Sequence, residues 1–166
     1  MKKTIQNGDR MERYKRILVP IDGSELSKLA FEQALSLAKM VNGDVTVIHI
    51  IEPYTPGTFD FDVYEIMNSI EIIEEKTKNA MESQLNELVE LGKERNVTVN
   101  SIIKKGNVSD ELIKESSNYD LIIMGILGQS ALTKLFLGSV AEKVSRHACC
   151  PVMLVREIGK VCKSKN

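Results

Sequence analysis

The chain contains no tryptophan, four prolines, three cysteines and two histidines, and aromatic residues make up only 5% of it. Each shortage removes a class of protein. Cys149, Cys150 and Cys162 are odd in number and crowded late in the chain, which excludes a secreted disulfide framework and suits a reducing compartment. Neither a Cys-x-x-Cys pair nor a Cys and His spacing suited to zinc is present, so no structural zinc is expected. Charge of one sign is lacking too: 22 Lys and Arg face 23 Asp and Glu, and a net charge of −1 offers no global field to recruit nucleic acid or an acidic membrane. Apolar runs such as Leu121 to Met124 fall far short of the roughly 20 residues that span a bilayer. Met1 to Tyr14 lacks the apolar core of a secretory signal. These absences predict a soluble, cytoplasmic protein without a nucleic-acid or membrane partner, in which any anion site is local.

What is present is ordinary globular material. The 166 residues, 43% hydrophobic and 27% charged, suffice for one well-filled core and hardly for two. The expected boundaries are a disordered N-terminal tail over 1–14, one domain over 15–157 and a flexible C-terminal tail over 158–166, the tails being charged and patternless.

Hydrophobic periodicity within the domain alternates short apolar runs with longer helical stretches, the signature of a parallel sheet covered by helices. Strands are predicted at Ile17–Ile21, Val45–Ile51, Val97–Ile103, Leu121–Met124 and Pro151–Val155. Ser24 caps a helix with apolar positions Leu26, Ala30, Ala34, Leu37 and Val41, which Asn42-Gly43 stops. A long helix carries Ile66, Ile70, Ile73, Thr77, Ala80, Leu85, Leu88 and Leu91 on one face. Shorter helices follow at Val108–Ser117 and Val140–His147. The segment Glu52 to Asp62, with Pro53, Pro56 and Gly57, reads as a loop able to form a lid. Leu121–Met124 is apolar on both faces and belongs in the middle of the sheet, whereas Val97–Ile103 alternates and suits an edge.

Open α/β sheets bind ligands beyond the carboxyl ends of their strands, where strand order reverses. The loop after the fourth strand reads Gly125-Ile126-Leu127-Gly128, followed nine residues later by Gly138-Ser139. Glycines let backbone N–H groups approach a ligand closely. Ser139 with Glu142 reads as a capping box that starts a helix, whose positive end would face the same space. Together they make an anion pocket without a basic side chain, suited to a phosphate chain.

Gly125-x2-Gly128-x9-Gly138-Ser139 resembles the glycine motif of the nucleotide-binding branch of the universal stress protein family. The flanks Asp120-Leu-Ile-Ile-Met124 and Val140-Ala-Glu-Lys-Val144 are similar as well. So are the opening Lys15-Arg-Ile-Leu-Val-Pro-Ile-Asp-Gly-Ser24 and the close Arg146-His-Ala-Cys-Cys-Pro-Val-Met-Leu-Val155, so the resemblance runs in order from about Tyr14 to Arg156. It implies a doubly wound, open five-stranded parallel α/β sheet of order 3-2-1-4-5 with helices on both faces, Rossmann-like and similar to the adenine nucleotide hydrolases. By position, Pro20, Ile21 and Asp22 would line the adenosine side, with Asp22 accepting from a ribose hydroxyl, and Ile50 would touch the base. Met124, Gly125, Gly128, Gly138, Ser139 and Val140 would surround the ribose and phosphates. The implied ligand is ATP, or ADP or AMP, with Mg2+ or Mn2+ reaching Asp22 or Ser139 through the nucleotide. The implied protein partner is a second copy, paired through the last strand at Val152, Met153, Leu154 and Val155; any other partner is unspecified. Ile126 and Leu127 depart from the family, which usually places a small hydroxyl residue and then a basic or imidazole side chain there.

The leading expectation is therefore a stress-response or signalling module that binds an adenine nucleotide. A slow nucleotide hydrolase is the enzymatic alternative, but the chain supplies one acid at the site, Asp22, and no base, and it has no Gly-x4-Gly-Lys-Ser/Thr loop. A dimerisation module that binds no nucleotide is the other, kept open by Ile126 and Leu127. A phosphorylatable receiver is excluded because Asp22 stands alone and Lys104-Lys105-Gly106 ends the third strand. His49 is read as a core or interface residue, His147 as a helix-end cation, and Cys149 and Cys150 as small apolar side chains.

Overall fold

In the computed structural model, which describes residues 13–53, 63–127 and 137–156, five strands form one parallel sheet. They are β1 (Arg16–Pro20), β2 (Asp44–Ile51), β3 (Val99–Lys105), β4 (Leu121–Gly125) and β5 (Val152–Val155), in the order β3-β2-β1-β4-β5. Four helices connect them: α1 (Glu25–Val41), α2 (Val63–Glu94), α3 (Val108–Glu115) and α4 (Ser139–His147), with a single 3-10 turn at Ser116–Asn118. The strand order is the expected one.

Period-two alternation along each strand divides the core into two layers. Ile17 and Val19 of β1, Val45 and Val47 of β2, and Leu121 and Ile123 of β4 pack with Ala30, Phe31, Ala34, Leu35 and Ala38 of α1 and Leu85 of α2. Their sequence neighbours Leu18, Ile48, Ile50, Ile122 and Met124 point the other way, onto Leu112 of α3 and Ala141 and Val144 of α4. Two helices therefore cover each face. Leu121 to Met124 are all buried, as a central strand requires.

Local chemistry sets the boundaries. Ser24 accepts a hydrogen bond from the Ser27 N–H at 3.1 Å and caps α1, and Asn42, in the left-handed conformation at φ 49°, ends it. Sequence periodicity begins the third strand two residues early. Asn96 adopts φ 58° and the Val97 N–H donates to the Gly92 carbonyl at 2.9 Å, so Val97 finishes α2 although it is buried like Val99. The predicted apolar stripe of the long helix is also corrected: Thr77 and Ala80 are exposed, while Met81, Leu85, Leu88 and Val89 meet the core. A helix of 32 residues runs about 48 Å, roughly twice the length of the strands it covers.

Tyr14, assigned by sequence to the tail, packs against the first layer. The tail segments 1–12 and 158–166, the last domain residue Glu157 and most of the expected lid, 54–62, lie outside the described residues. Among the described residues no helix is long and apolar enough to cross a membrane.

Candidate functional site

Strand order reverses between β1 and β4: the chain moves outward from β1 through β2 to β3, then returns to the far side of β1. The loops after β1 and β4 diverge there, and a cleft of about 520 Å³ opens above the sheet. Every predicted site residue within the described part of the chain lines it: Pro20, Ile21, Asp22, Ile50, Met124, Gly125, Gly138, Ser139 and Val140. Gly128 lies outside the described residues.

The β1 wall is fixed by two bonds to β2. The Ile21 N–H donates to the Ile48 carbonyl at 2.8 Å, which carries the pairing one residue past the strand. His49 Nδ1 lies 2.7 Å from the Ile21 carbonyl oxygen. A carbonyl only accepts, so the proton sits on Nδ1 and the imidazole donates it. Beyond this anchor the chain turns sharply. Asp22 Oδ1 accepts from the Ser24 N–H at 3.0 Å, and Gly23 takes up φ 84°.

The β4 wall differs from the sequence reading in two respects. Gly138, not Ser139, is the N-cap of α4; it has no side-chain capping bond, and Glu142 is drawn along the helix to Arg146 at 3.3 Å. The capping box is absent because the Gly138 carbonyl accepts the first helical bond, from the Glu142 N–H at 2.8 Å, which moves Ser139 into the helix. Nor is the loop backbone wholly turned toward a ligand. The Ile126 N–H donates to the Val155 carbonyl at 2.9 Å, and the Gly138 N–H donates to the Ile126 carbonyl at 2.8 Å. The donors that open α4 are the N–H groups of Ser139, Val140 and Ala141, which precede the first intrahelical bond.

Gly125 has a packing role in addition. A Cβ placed on it would stand 2.8 Å from Leu26 Cβ of α1, so glycine is what lets β4 end close against that helix.

Among the described residues, the acidic side chains outnumber the basic ones in the cleft. Asp22 and Glu52 line it together with His49, and no Lys or Arg does so among the described residues. Glu52 is held at the rim by Asn107 Nδ2 at 3.4 Å, and Asn107 Oδ1 in turn caps α3 by accepting from the Asp110 N–H at 3.2 Å. Apolar side chains supply much of the rest, including Val108, Leu112, Ile126, Leu127 and Leu137. Sequence reasoning left out His49, Ser24, Glu52 and Leu137. His49 and Glu52 flank the carboxyl end of β2, so the rule that ligands sit at strand ends pointed to them.

The family model for the universal stress protein family matches residues 13–156. A universal stress protein of Methanocaldococcus jannaschii is 31% identical over 158 residues, covering 94% of this chain and 89% of that protein. Among solved structures, a universal stress protein from Lactobacillus plantarum superimposes with a TM-score of 0.69 at 22% identity, over 87% of this chain and 99% of that one. A universal stress protein in complex with cAMP superimposes at 0.62 with 23% identity, over 87% and 98% of the two chains. On its sequence, and with the sheet order to match, this chain belongs to the universal stress protein family.

Proposed function

We propose that the chain binds an adenine nucleotide in the β1–β4 cleft and works in the cytoplasm as a stress-response or signalling module whose shape or partner choice follows the bound ligand. The observation that carries this reading is the meeting, at the switch point of the sheet, of a largely apolar cleft with the opening turn of α4, whose N-cap is Gly138. Helix N-H groups and the positive helix end suit a phosphate, and Ile21, Ile50, Val108 and Met124 suit the flat face of a base. A solved relative carries a cyclic adenine nucleotide, which supports the ligand class.

The resemblance of the glycine motif implies ATP, with ADP and AMP as alternatives. No group of three His, Cys, Asp or Glu side chains that could hold a metal occurs among the described residues, so Mg2+ or Mn2+ would arrive on the nucleotide. Turnover is not part of the proposal.

A homodimer through β5 is proposed alongside it. Met153 is 42% exposed on an edge strand otherwise made of Val152, Leu154 and Val155, and pairing with a second copy would cover that edge.

The test is a titration of the intact chain with ATP, ADP and AMP beside Ser139→Trp. Ser139 is exposed and lines the cleft, so the indole fills the binding space at little cost to the fold. Saturable binding that the variant loses while melting normally supports the proposal; equal binding by both proteins rejects this cleft.

A further inference from the structure

Cys149 and Cys150 are adjacent on the connection from α4 to β5, at the end of the sheet away from the cleft. Their surroundings differ: Cys150 packs half-buried against the second core layer, and Cys149 is exposed. The chain bends at both residues, and its backbone is held on either side. The Cys149 N–H donates to Ser116 Oγ at 2.8 Å, and the buried Ser116 hydroxyl donates in turn to the Ile113 carbonyl at 2.6 Å. The Pro151 carbonyl accepts from the Ile122 N–H at 3.0 Å. A fixed turn therefore presents two thiols, whose side-chain torsions bring the sulfurs together.

The peptide between them is trans, which sets the two Cα atoms about 3.8 Å apart, whereas a disulfide ordinarily spans about 4.4 to 6.8 Å. A bond directly between the sulfurs is strained, and one thiophilic atom bonded to both lengthens the bridge and relieves that strain. Protonation selects among thiophiles. Burial, and then the neighbouring Cys149, push the Cys150 thiol up, so it keeps its proton at neutral pH. A divalent cation must displace thiol protons, and no group of three His, Cys, Asp or Glu that could hold one occurs among the described residues. A trivalent arsenic hydroxide needs no prior deprotonation. R–As(OH)2 and two S–H groups give R–As(S)2 and two waters: two As–O and two S–H bonds break, two As–S and two O–H bonds form, and nothing is oxidised.

We infer that Cys149 and Cys150 form a vicinal dithiol site for trivalent arsenicals, closed by one arsenic atom across both sulfurs. The site is independent of the nucleotide reading.

Phenylarsine oxide added to the reduced full chain tests it, read by intact-mass spectrometry and by counting free thiols. One phenylarsenic group per chain and a fall from three free thiols to one are expected, reversed by a small dithiol and not by a monothiol at the same concentration. Cys162→Ser should bind as the native chain does. Cys149→Ser and Cys150→Ser should each bind about a hundredfold more weakly, because the second As–S bond is no longer intramolecular. The exposed Cys149→Ser should also melt as the native chain does. Equimolar Zn2+ should not compete. Binding lost in Cys162→Ser, kept in Cys149→Ser or blocked by Zn2+ would overturn the inference, as would ready closure of a Cys149–Cys150 disulfide by oxidised glutathione.

Discussion

Gly125→Ala separates two reasons for a glycine at the end of β4. Its φ is not in the left-handed region, so alanine is allowed by the backbone. If open space or a ligand were all that lay above it, the substitution would stabilise the protein by about 0.4 to 1 kcal/mol through the lost freedom of the unfolded chain. The structure predicts the opposite sign. The new methyl group would meet Leu26 Cβ at 2.8 Å and both the Leu26 carbonyl carbon and the Leu127 oxygen at 3.3 Å. A Cβ and two backbone atoms cannot rotate aside as a side-chain tip can, so α1 must shift against β4. Overpacking of this kind costs about 1 to 3 kcal/mol, and a chain of this size loses about 2 to 4 °C of Tm per kcal/mol. The assay is thermal and urea unfolding of both proteins without nucleotide. A Tm lower by several degrees, at unchanged urea slope, is expected. An unchanged or higher Tm would refute the close-approach argument and return Gly125 to a purely ligand-related role.

Removing the His49 donor as His49→Phe leaves the Ile21 carbonyl without that partner; the expected cost is about 1 kcal/mol in urea unfolding, together with a several-fold loss of nucleotide affinity in a titration. Stability should also depend on acid. Hydrogen bonds from the Arg16 guanidinium hold the Asp120 carboxyl below the usual carboxylate range, and Lys104 does the same for Glu115. Both folded values lie below the unfolded ones, so this stabilisation is complete above about pH 5 and is lost as pH falls from there through the folded values. Asp120→Asn with Glu115→Gln should flatten that acid limb in urea melts; a limb as steep as the native one would remove these carboxylates from the account. On the edge strand, Met153→Lys should turn a dimer into a monomer by light scattering, and a native chain that is already monomeric would end the β5 pairing proposal.

The core was legible because its signals are local in sequence. Leu121 to Met124, apolar at every position, could only be an inner strand, and Ser24 and Asn42 mark the ends of α1 with side chains that bond within three residues or tolerate a left-handed turn. What stayed hidden depends on distant partners. His49 finds its acceptor 28 residues earlier, and nothing in a strand of Val, Ile and His announces it. Gly125 is required by Leu26, about a hundred residues away in the chain. The Ser139 capping box failed because the same spacing fits two helix starts, and the Gly138 carbonyl takes the first bond. Val97 shows the same ambiguity between strand and helix end, since burial alone does not tell the two apart. The strand order followed from resemblance; periodicity supplied only the inner place of β4 and the edge place of β3.

The most direct test of the account is to purify the chain without added nucleotide, denature it and identify by chromatography what it releases, then titrate the emptied, refolded protein. An adenine nucleotide released near one per chain, or saturable rebinding of one, is the predicted result. Neither release nor binding of adenosine, AMP or ATP at millimolar concentration would contradict the assignment of the β1–β4 cleft and leave a dimerisation module of the same fold.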